Sequence, residues 1–195
     1  PDSIICNAAI SACEKGGEWQ WALHLFGGMP SSKVSRNTIT YNAAISACEK
    51  GGRWQRASQL LADMRLARVA ADAITLNACI SAFEKGGEWR RALDLLEEMV
   101  FAGVDRDSVS FGAAISACEK GGRWQHALRL LGAMRKARVR RSSIACGAAI
   151  SACEKGGQWQ AALSLLSSMQ ADKTERTTIA FSAAISACEK GGQWQ

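Results

Sequence analysis

The chain is poor in the residues that most enzyme chemistry needs. It has only two histidines, His24 and His126, and neither has a recurring acid or cysteine partner that would form a dyad. Both sit among apolar residues of helical segments, where surface or boundary positions are expected. No glycine-rich phosphate loop with its Lys-Ser/Thr follows a strand. No run of about eighteen apolar residues occurs, and no charged segment leads into an apolar one at the start, so neither a membrane span nor a signal peptide is visible. These absences argue against an enzyme, a cofactor or a membrane partner.

What is present is a globular composition: 195 residues, 48% hydrophobic and 22% charged, enough to bury a sizeable core. Lys and Arg number 24 against 18 Asp and Glu, a net charge of +6, which favours an anionic partner.

Sliding the sequence against itself by 35 residues superimposes Asn7-Ala8-Ala9-Ile10-Ser11-Ala12-Cys13-Glu14-Lys15-Gly16-Gly17 on near copies beginning at Asn42, Asn77, Gly112, Gly147 and Ser182. A fixed period of that size is the mark of a helical repeat array. Each unit carries two apolar stripes, as in Tyr41, Ala44, Ile45 and Cys48, then Trp54, Ala57, Leu60, Leu61 and Met64. Both follow i, i+3, i+4, i+7 spacing and predict amphipathic helices. The glycine pair between them, Gly51-Gly52, supplies the left-handed backbone that ends the first helix. A single hairpin cannot bury both stripes, so an all-α fold is expected: a superhelical α-solenoid, of either hand, made of stacked antiparallel helical hairpins with the first helices lining its concave wall. The units are 3–37, 38–72, 73–107, 108–142 and 143–177, with 1–2 ending a preceding repeat and 178–195 a partial sixth. A cut from a longer array is expected, with a frayed last half-repeat and room for a targeting segment or catalytic domain outside it.

Ala43 and Ala47 permit close approach of stacked first helices, and mid-helix Ser11 and Ser46 read as small packing residues. The tryptophan column, Trp19, Trp54, Trp89, Trp124, Trp159 and Trp194, is in phase with the second stripe and reads as core rather than as an aromatic platform for bases. Cys13, Cys48, Cys118, Cys153 and Cys188 share a column that holds Phe83 in the third repeat. Phenylalanine neither bridges nor ligates. Helices about 8–10 Å apart also put such column members beyond disulfide reach. Reduced core thiols are expected, and no metal.

The segment Ile39-Thr40-Tyr41-Asn42-Ala43-Ala44-Ile45-Ser46-Ala47-Cys48-Glu49-Lys50-Gly51-Gly52, followed by Ala57, Leu60, Leu61 and Met64, resembles the pentatricopeptide repeat consensus. The resemblance covers essentially the whole chain, in a pure 35-residue array. It departs at the position before each repeat's last residue, where the family often has proline. Pro1 fits, but Arg36, Ala71, Arg106, Arg141 and Arg176 stand elsewhere. Arginine there reads as a solvated loop charge, with phosphate contact as the sharper alternative.

The resemblance implies single-stranded RNA read one base per repeat by two or three side chains, in organellar processing, stability or editing, with a mitochondrial or chloroplast location and a monomer. Ile4, Ile39, Ile74, Val109, Ile144 and Ile179 are implied to sandwich bases, a role compatible with stapling the helix start. The first reading column is Asn7, Asn42, Asn77, Gly112, Gly147 and Ser182, and the second is Asn37, Asp72, Asp107, Ser142 and Thr177. Both vary while their neighbours stay fixed, which a reader of different bases needs and a scaffold does not. The second column also suits helix N-caps. By similarity, Asn42 with Asp72 and Asn77 with Asp107 imply uracil, and Asn7 with Asn37 a pyrimidine. Gly112 with Ser142 and Gly147 with Thr177 imply weak or no preference. Ser182 implies a purine, its partner lying past Gln195. With RNA parallel to the repeats, the implied target is pyrimidine-U-U, two unspecified bases, then a purine. The lysines Lys15, Lys50, Lys85, Lys120, Lys155 and Lys190 are implied phosphate contacts. Their plainer duties are a favourable charge at the helix C-terminus, worth ~0.3–1 kcal/mol, and an ion pair with the adjacent Glu14-type column. The competing reading is a protein-binding scaffold of the tetratricopeptide-like kind, against which the Gly112 and Gly147 interruptions argue.

Overall fold

A computed structural model of the chain describes residues 2–192. Trp194 lies outside the described residues. Eleven helices and no strand occur among the described residues. The first helices are α1 (Ser3–Lys15), α3 (Thr38–Lys50), α5 (Ala73–Lys85), α7 (Ser108–Lys120), α9 (Ser143–Lys155) and α11 (Thr178–Lys190). The second helices are α2 (Trp19–Gly28), α4 (Trp54–Leu66), α6 (Trp89–Phe101), α8 (Trp124–Lys136) and α10 (Trp159–Ala171). This is an all-α helical-repeat fold.

The contacts divide the chain into two compact units, Pro1–Gly86 with Glu97–Asp105, and Gly87–Leu96 with Arg106–Gln195. In the first, α1, α3 and α5 pack side by side, while α2 and α4 each lie against their own first helix and the next one. The second repeats the scheme with α7, α9 and α11 against α8 and α10. The core is made of the two stripes: Tyr41, Ala44, Ile45, Cys48, Leu61 and Met64 are buried in the first unit, and Phe111, Ile115, Leu131 and Met134 in the second. Small residues fill the seams between first helices, with Ala43 and Ala47 buried.

Each first helix starts on a side-chain cap and stops on a glycine pair, but the two glycines act differently. Gly51 is right-handed at φ −76°, while Gly52 takes φ +65°. Only the second supplies the left-handed turn, closed by Gly52 N–H to Glu49 O at 3.1 Å and Arg53 N–H to Cys48 O at 2.8 Å, a helix-stop geometry that favours glycine. The first is glycine for want of room. A Cβ on Gly51 would sit 2.5 Å from Trp19 Cδ1, and the same clash recurs at 2.2–2.5 Å for Gly86 on Trp54, Gly121 on Trp89, Gly156 on Trp124 and Gly191 on Trp159. The tryptophans are therefore wedges, half-buried and pressed on the next repeat's glycine, rather than interior core. Their outer faces carry cations, Arg53 at 4.7 Å from Trp19 and Arg123 at 4.8 Å from Trp89.

Candidate nucleic-acid interface

The first turn of each first helix concentrates the columns that vary or protrude. Ile4, Ile39, Ile74, Val109, Ile144 and Ile179 are between 55% and 75% exposed. An aliphatic side chain left in water at the same place in six successive helices is not a staple packed on its helix, so the stapling role is absent. Each is instead an exposed apolar tooth.

The first polar column follows each tooth by three residues. In the first unit, Asn42 Nδ2 donates to both carboxylate oxygens of Asp72, each at 3.1 Å. Asn7 Nδ2 approaches Asn37 Oδ1 at 3.5 Å. The structure thus brings together the side chains of repeats one and two that sequence similarity paired. Asn77 occupies the equivalent half-buried place on α5. In the second unit Gly112 and Gly147 are buried in the helix backbone, and a Cβ on either would meet nothing within 4 Å. Around Gly147 an open slot of about 340 Å³ is lined by Ile144, Ile179, Thr177, Ser151 and Glu119. Ser182 is exposed and its hydroxyl donates back to Ile179 O at 3.2 Å.

The second polar column also caps helices, throughout. Asn37 and Asp72 accept from Thr40 and Thr75 N–H at 3.0 and 2.9 Å, Asp107 from Val109 and Ser110 N–H, Ser142 from Ala145 N–H and Thr177 from Ala180 N–H. The cap leaves other lone pairs free, and Asp72 uses them to accept from Asn42 as well. Burial pushes the Asp72 carboxyl up. Hydrogen bonds from Thr75's amide and hydroxyl, Asn42's amide and the Ile74 N–H outweigh it and hold the group below its ordinary 3.8.

The lysine column pairs with glutamate, but not with its sequence neighbour. Lys50 Nζ meets Glu14 at 2.7 Å, Lys85 meets Glu49 at 2.6 Å, Lys190 meets Glu154 at 2.7 Å, and Lys155 pairs with Glu119. Each partner lies one repeat back, where helix stacking brings the two chain ends side by side. Ser46 donates to Glu14 at 3.1 Å and Ser186 to Glu154 at 3.0 Å, so the mid-helix serines belong to these ladders. The lysines stay 40–54% exposed while the glutamates are 17–18% exposed, which leaves ammonium protons for an outside anion. Lys15 and Lys120 end α1 and α7 in the same position, both exposed.

The arginines in the proline position are held by neighbouring residues, although Arg176 remains exposed. Arg36 donates to Phe26 O through Nε at 3.1 Å and Nη2 at 2.9 Å and stacks 4.0 Å from the Phe26 ring. Arg106 and Arg176 lie over Phe111 and Phe181, and Arg141, 14% exposed, pairs with Asp172 at 3.0 Å. They fasten the loop to the helices, a task that rigid proline performs by fixing the backbone.

His24 is exposed and edge-on to Trp21, while His126 is half-buried against Trp89 with its centroid at 5.5 Å. Burial and the nearby Arg129 and Arg123 lower the His126 pKa. Among the described residues no cluster of His, Cys, Asp or Glu is arranged to hold a metal, and no helix is long and apolar enough to cross a membrane.

One set of residues escaped the sequence reading: Thr40, Thr75 and Ser110 are fully buried polar side chains in the first turn of α3, α5 and α7. A signal for them existed. The residue 33 positions after Asn7, Asn42 and Asn77 is Thr, Thr and Ser, whereas after Gly112 and Gly147 it is Ala145 and Ala180.

Helical hairpins recurring at a fixed 35-residue interval define a modular helical-repeat protein. Family profiles give it a lineage: the PPR repeat family matches residues 36–85, the PPR repeat matches 74–104, 109–139 and 144–173, and the pentatricopeptide repeat domain matches 1–53. The chain belongs to the pentatricopeptide repeat family. Among curated proteins no match is found. Solved structures share the fold. The pentatricopeptide repeat protein PPR10 of maize, in complex with an 18-nucleotide psaJ RNA element, aligns with TM-score 0.76 and 22% identity over 98% of this chain and 28% of its own. The PPR domain of Arabidopsis thaliana protein-only RNase P 1, in complex with tRNA, aligns at 0.80 and 15% over 92% and 95%. Nuclear proteinaceous RNase P 2 of A. thaliana aligns at 0.83 and 12% over 96% and 43%. The chain thus spans under a third of the PPR10 chain it matches.

Proposed function

We propose that this chain binds single-stranded RNA sequence-selectively, one base per repeat, as a non-catalytic reader. The observation that carries the reading is an exposed aliphatic tooth at the start of each first helix, three residues before a polar position that changes from repeat to repeat. A base has two apolar faces and a polar edge. Successive teeth such as Ile39 and Ile74 offer the faces a sandwich, and Asn42 with Asp72 offers the edge a donor and an acceptor. A peptide groove needs no such alternation. Kinship with a family whose members PPR10 and protein-only RNase P 1 were captured with RNA supports the same partner.

The proposed repeats are the five units from 3 to 177 and the partial sixth. Asn42 with Asp72 and Asn77 with Asp107 select uracil, Asn7 with Asn37 a pyrimidine, Ser182 a purine, and Gly112 with Ser142 and Gly147 with Thr177 discriminate little. The lysine column meets the phosphates. The bound sequence is pyrimidine-U-U, two free positions and a purine, and the setting is RNA processing, stability or editing in a mitochondrion or chloroplast.

Fluorescence anisotropy with a labelled RNA carrying pyrimidine-U-U tests this against a purine-substituted RNA and the matching DNA, at two salt concentrations. Selective, salt-sensitive binding that Asn42→Ala relaxes at one base establishes the reading. Absence of salt-sensitive binding to any RNA sinks it in favour of a protein scaffold.

A further inference from the structure

A hydroxyl buried in a helix's first turn is unfavourable unless its hydrogen bonds are filled. Those of Thr40 and Thr75 are filled in a specific way. Thr75 Oγ1 accepts the Asp72 backbone N–H at 3.2 Å, so its own single proton remains to be donated. Two acceptors face that proton, Asn42 Oδ1, one repeat back, at 2.5 Å and the capping Asp72 Oδ1 at 2.9 Å, and the amide oxygen is the nearer. Thr40 accepts the Asn37 N–H at 3.2 Å, and its proton lies nearer to Asn7 Oδ1, at 2.7 Å, than to the capping Asn37 Oδ1, at 3.0 Å. In each case the carboxamide oxygen is engaged, and the nitrogen is left facing the capping residue and the slot.

Capping alone does not account for these hydroxyls. Ser142 and Thr177 cap α9 and α11 with Ala145 and Ala180 at the same position and no reciprocal side-chain bond. Helix propensity favours alanine there as well. The hydroxyl instead follows the amide: it stands where the preceding repeat has asparagine and gives way to alanine where that repeat has glycine.

We propose that Thr40 and Thr75 are positioning residues for base selection, each locking the asparagine of the preceding repeat into one amide orientation. The lock makes Asn42 a donor. A turned amide would set Asn42 Oδ1 against the Asp72 carboxylate, two acceptors with no proton between them, and would leave the Thr75 proton without its amide acceptor. A fixed Nδ2–H suits a base carbonyl such as that of uracil, and opposes the amino group that cytosine presents instead. Without the hydroxyl the amide is freer to show its oxygen, and cytosine gains. This last step rests on the RNA-reading proposal; the lock itself does not.

Two variants test it, Thr75→Val, which keeps the shape, and Thr75→Ser, which keeps the hydroxyl. In the RNA-free protein, the side-chain amide protons of Asn42 are followed by NMR. The lock predicts slow solvent exchange in the native chain and in Thr75→Ser, and exchange about tenfold faster in Thr75→Val. Unchanged exchange in Thr75→Val overturns the lock whether or not RNA binds. With RNAs carrying U or C opposite the second repeat, Thr75→Val should lower the U-over-C ratio roughly fivefold, the scale of one net hydrogen bond, and Thr75→Ser should keep it. Equal loss of affinity for both RNAs with the ratio intact marks a merely structural residue and overturns the proposal. If the native chain prefers neither RNA, the reading of function fails, and the exchange rates alone decide the lock.

Discussion

Trp54 lies so close beneath Gly86 that a β-carbon on the glycine would stand 2.2 Å from the indole Cδ1. The contact gives three glycines of this chain three different physical reasons, and each reason predicts its own substitution. Gly86→Ala should destabilise by about 1–3 kcal/mol through overpacking. Gly87→Ala, at φ +73° with space around it, should lose about 1–2 kcal/mol to left-handed backbone strain. Gly112→Ala, in a helix and facing open space, should instead gain up to about 1 kcal/mol from helix propensity. Urea unfolding of the three variants ranks them directly.

Thiol reactivity should split the eight cysteines into two groups. Cys48, Cys79, Cys118, Cys146 and Cys153 are buried, while Cys6, Cys13 and Cys188 are partly exposed. Burial pushes Cys79 up to about 12, and Cys48, Cys118 and Cys153 up to about 11. The thiolate is the reactive form, so a thiol reagent at neutral pH should label three sites promptly and the remaining five only on unfolding. Mass spectrometry of the labelled peptides identifies which.

The glutamates of the Lys–Glu ladders should restrain RNA affinity. Each exposed ion pair contributes about 0–1 kcal/mol to stability, so Glu14→Gln, Glu49→Gln, Glu119→Gln and Glu154→Gln together should leave a folded protein. Relieved of their partners, Lys50, Lys85, Lys155 and Lys190 meet phosphates with their full charge. Binding should tighten, and the salt slope should steepen by up to about 0.7 for each lysine that touches a phosphate. An unchanged slope would place these lysines off the RNA path.

Acid should weaken the fold through carboxylates whose folded pKa is depressed. Asp72 is held below 3.8, and Glu154 below 4.5 chiefly by its bond from Lys190, with Ser186 adding to it against burial. For a depressed carboxylate the contributed stability is complete above the ordinary value and drains away as pH falls through the folded one. Urea midpoints should therefore hold steady down to about pH 4.5 and decline below it. Asp72→Asn keeps a good cap and should flatten the lower part of that decline.

Repeat five offers a gain-of-function test, because its glycine leaves an unfilled slot. Gly147→Asn with Thr177→Asp and Ala180→Thr rebuilds the polar set of repeat two on a backbone that has room for it. The nucleotide opposite that repeat should change from indifferent to uracil-preferring in a competition assay. The same protein without Ala180→Thr should show the weaker preference.

Much of the chain was legible because its two apolar stripes repeat at a fixed interval, and burial is what such stripes encode. Asn42 and Asp72 were likewise legible as a pair, through the resemblance to the family's recognition pairs. Other features were hidden for physical reasons. Gly51 and Gly52 are the same letter serving space and backbone sign, and only coordinates separate those demands. Lys50 sits beside Glu49 in sequence yet bonds Glu14, because a helix points successive side chains in different directions while stacking aligns positions 36 apart. Thr40 and Thr75 carried no legible role, because their hydroxyls reach an asparagine one repeat back.

The tryptophan-on-glycine wedge has a consequence for how such a gene can change. Five joints, from Trp19 with Gly51 to Trp159 with Gly191, use one key and one lock. Any 35-residue segment excised or duplicated in frame removes or adds one of each, so the flanking seams close as before. Unequal crossing-over can then shuffle, lengthen or shorten the array without repairing an interface, so the order of repeats can change by recombination as well as one substitution at a time.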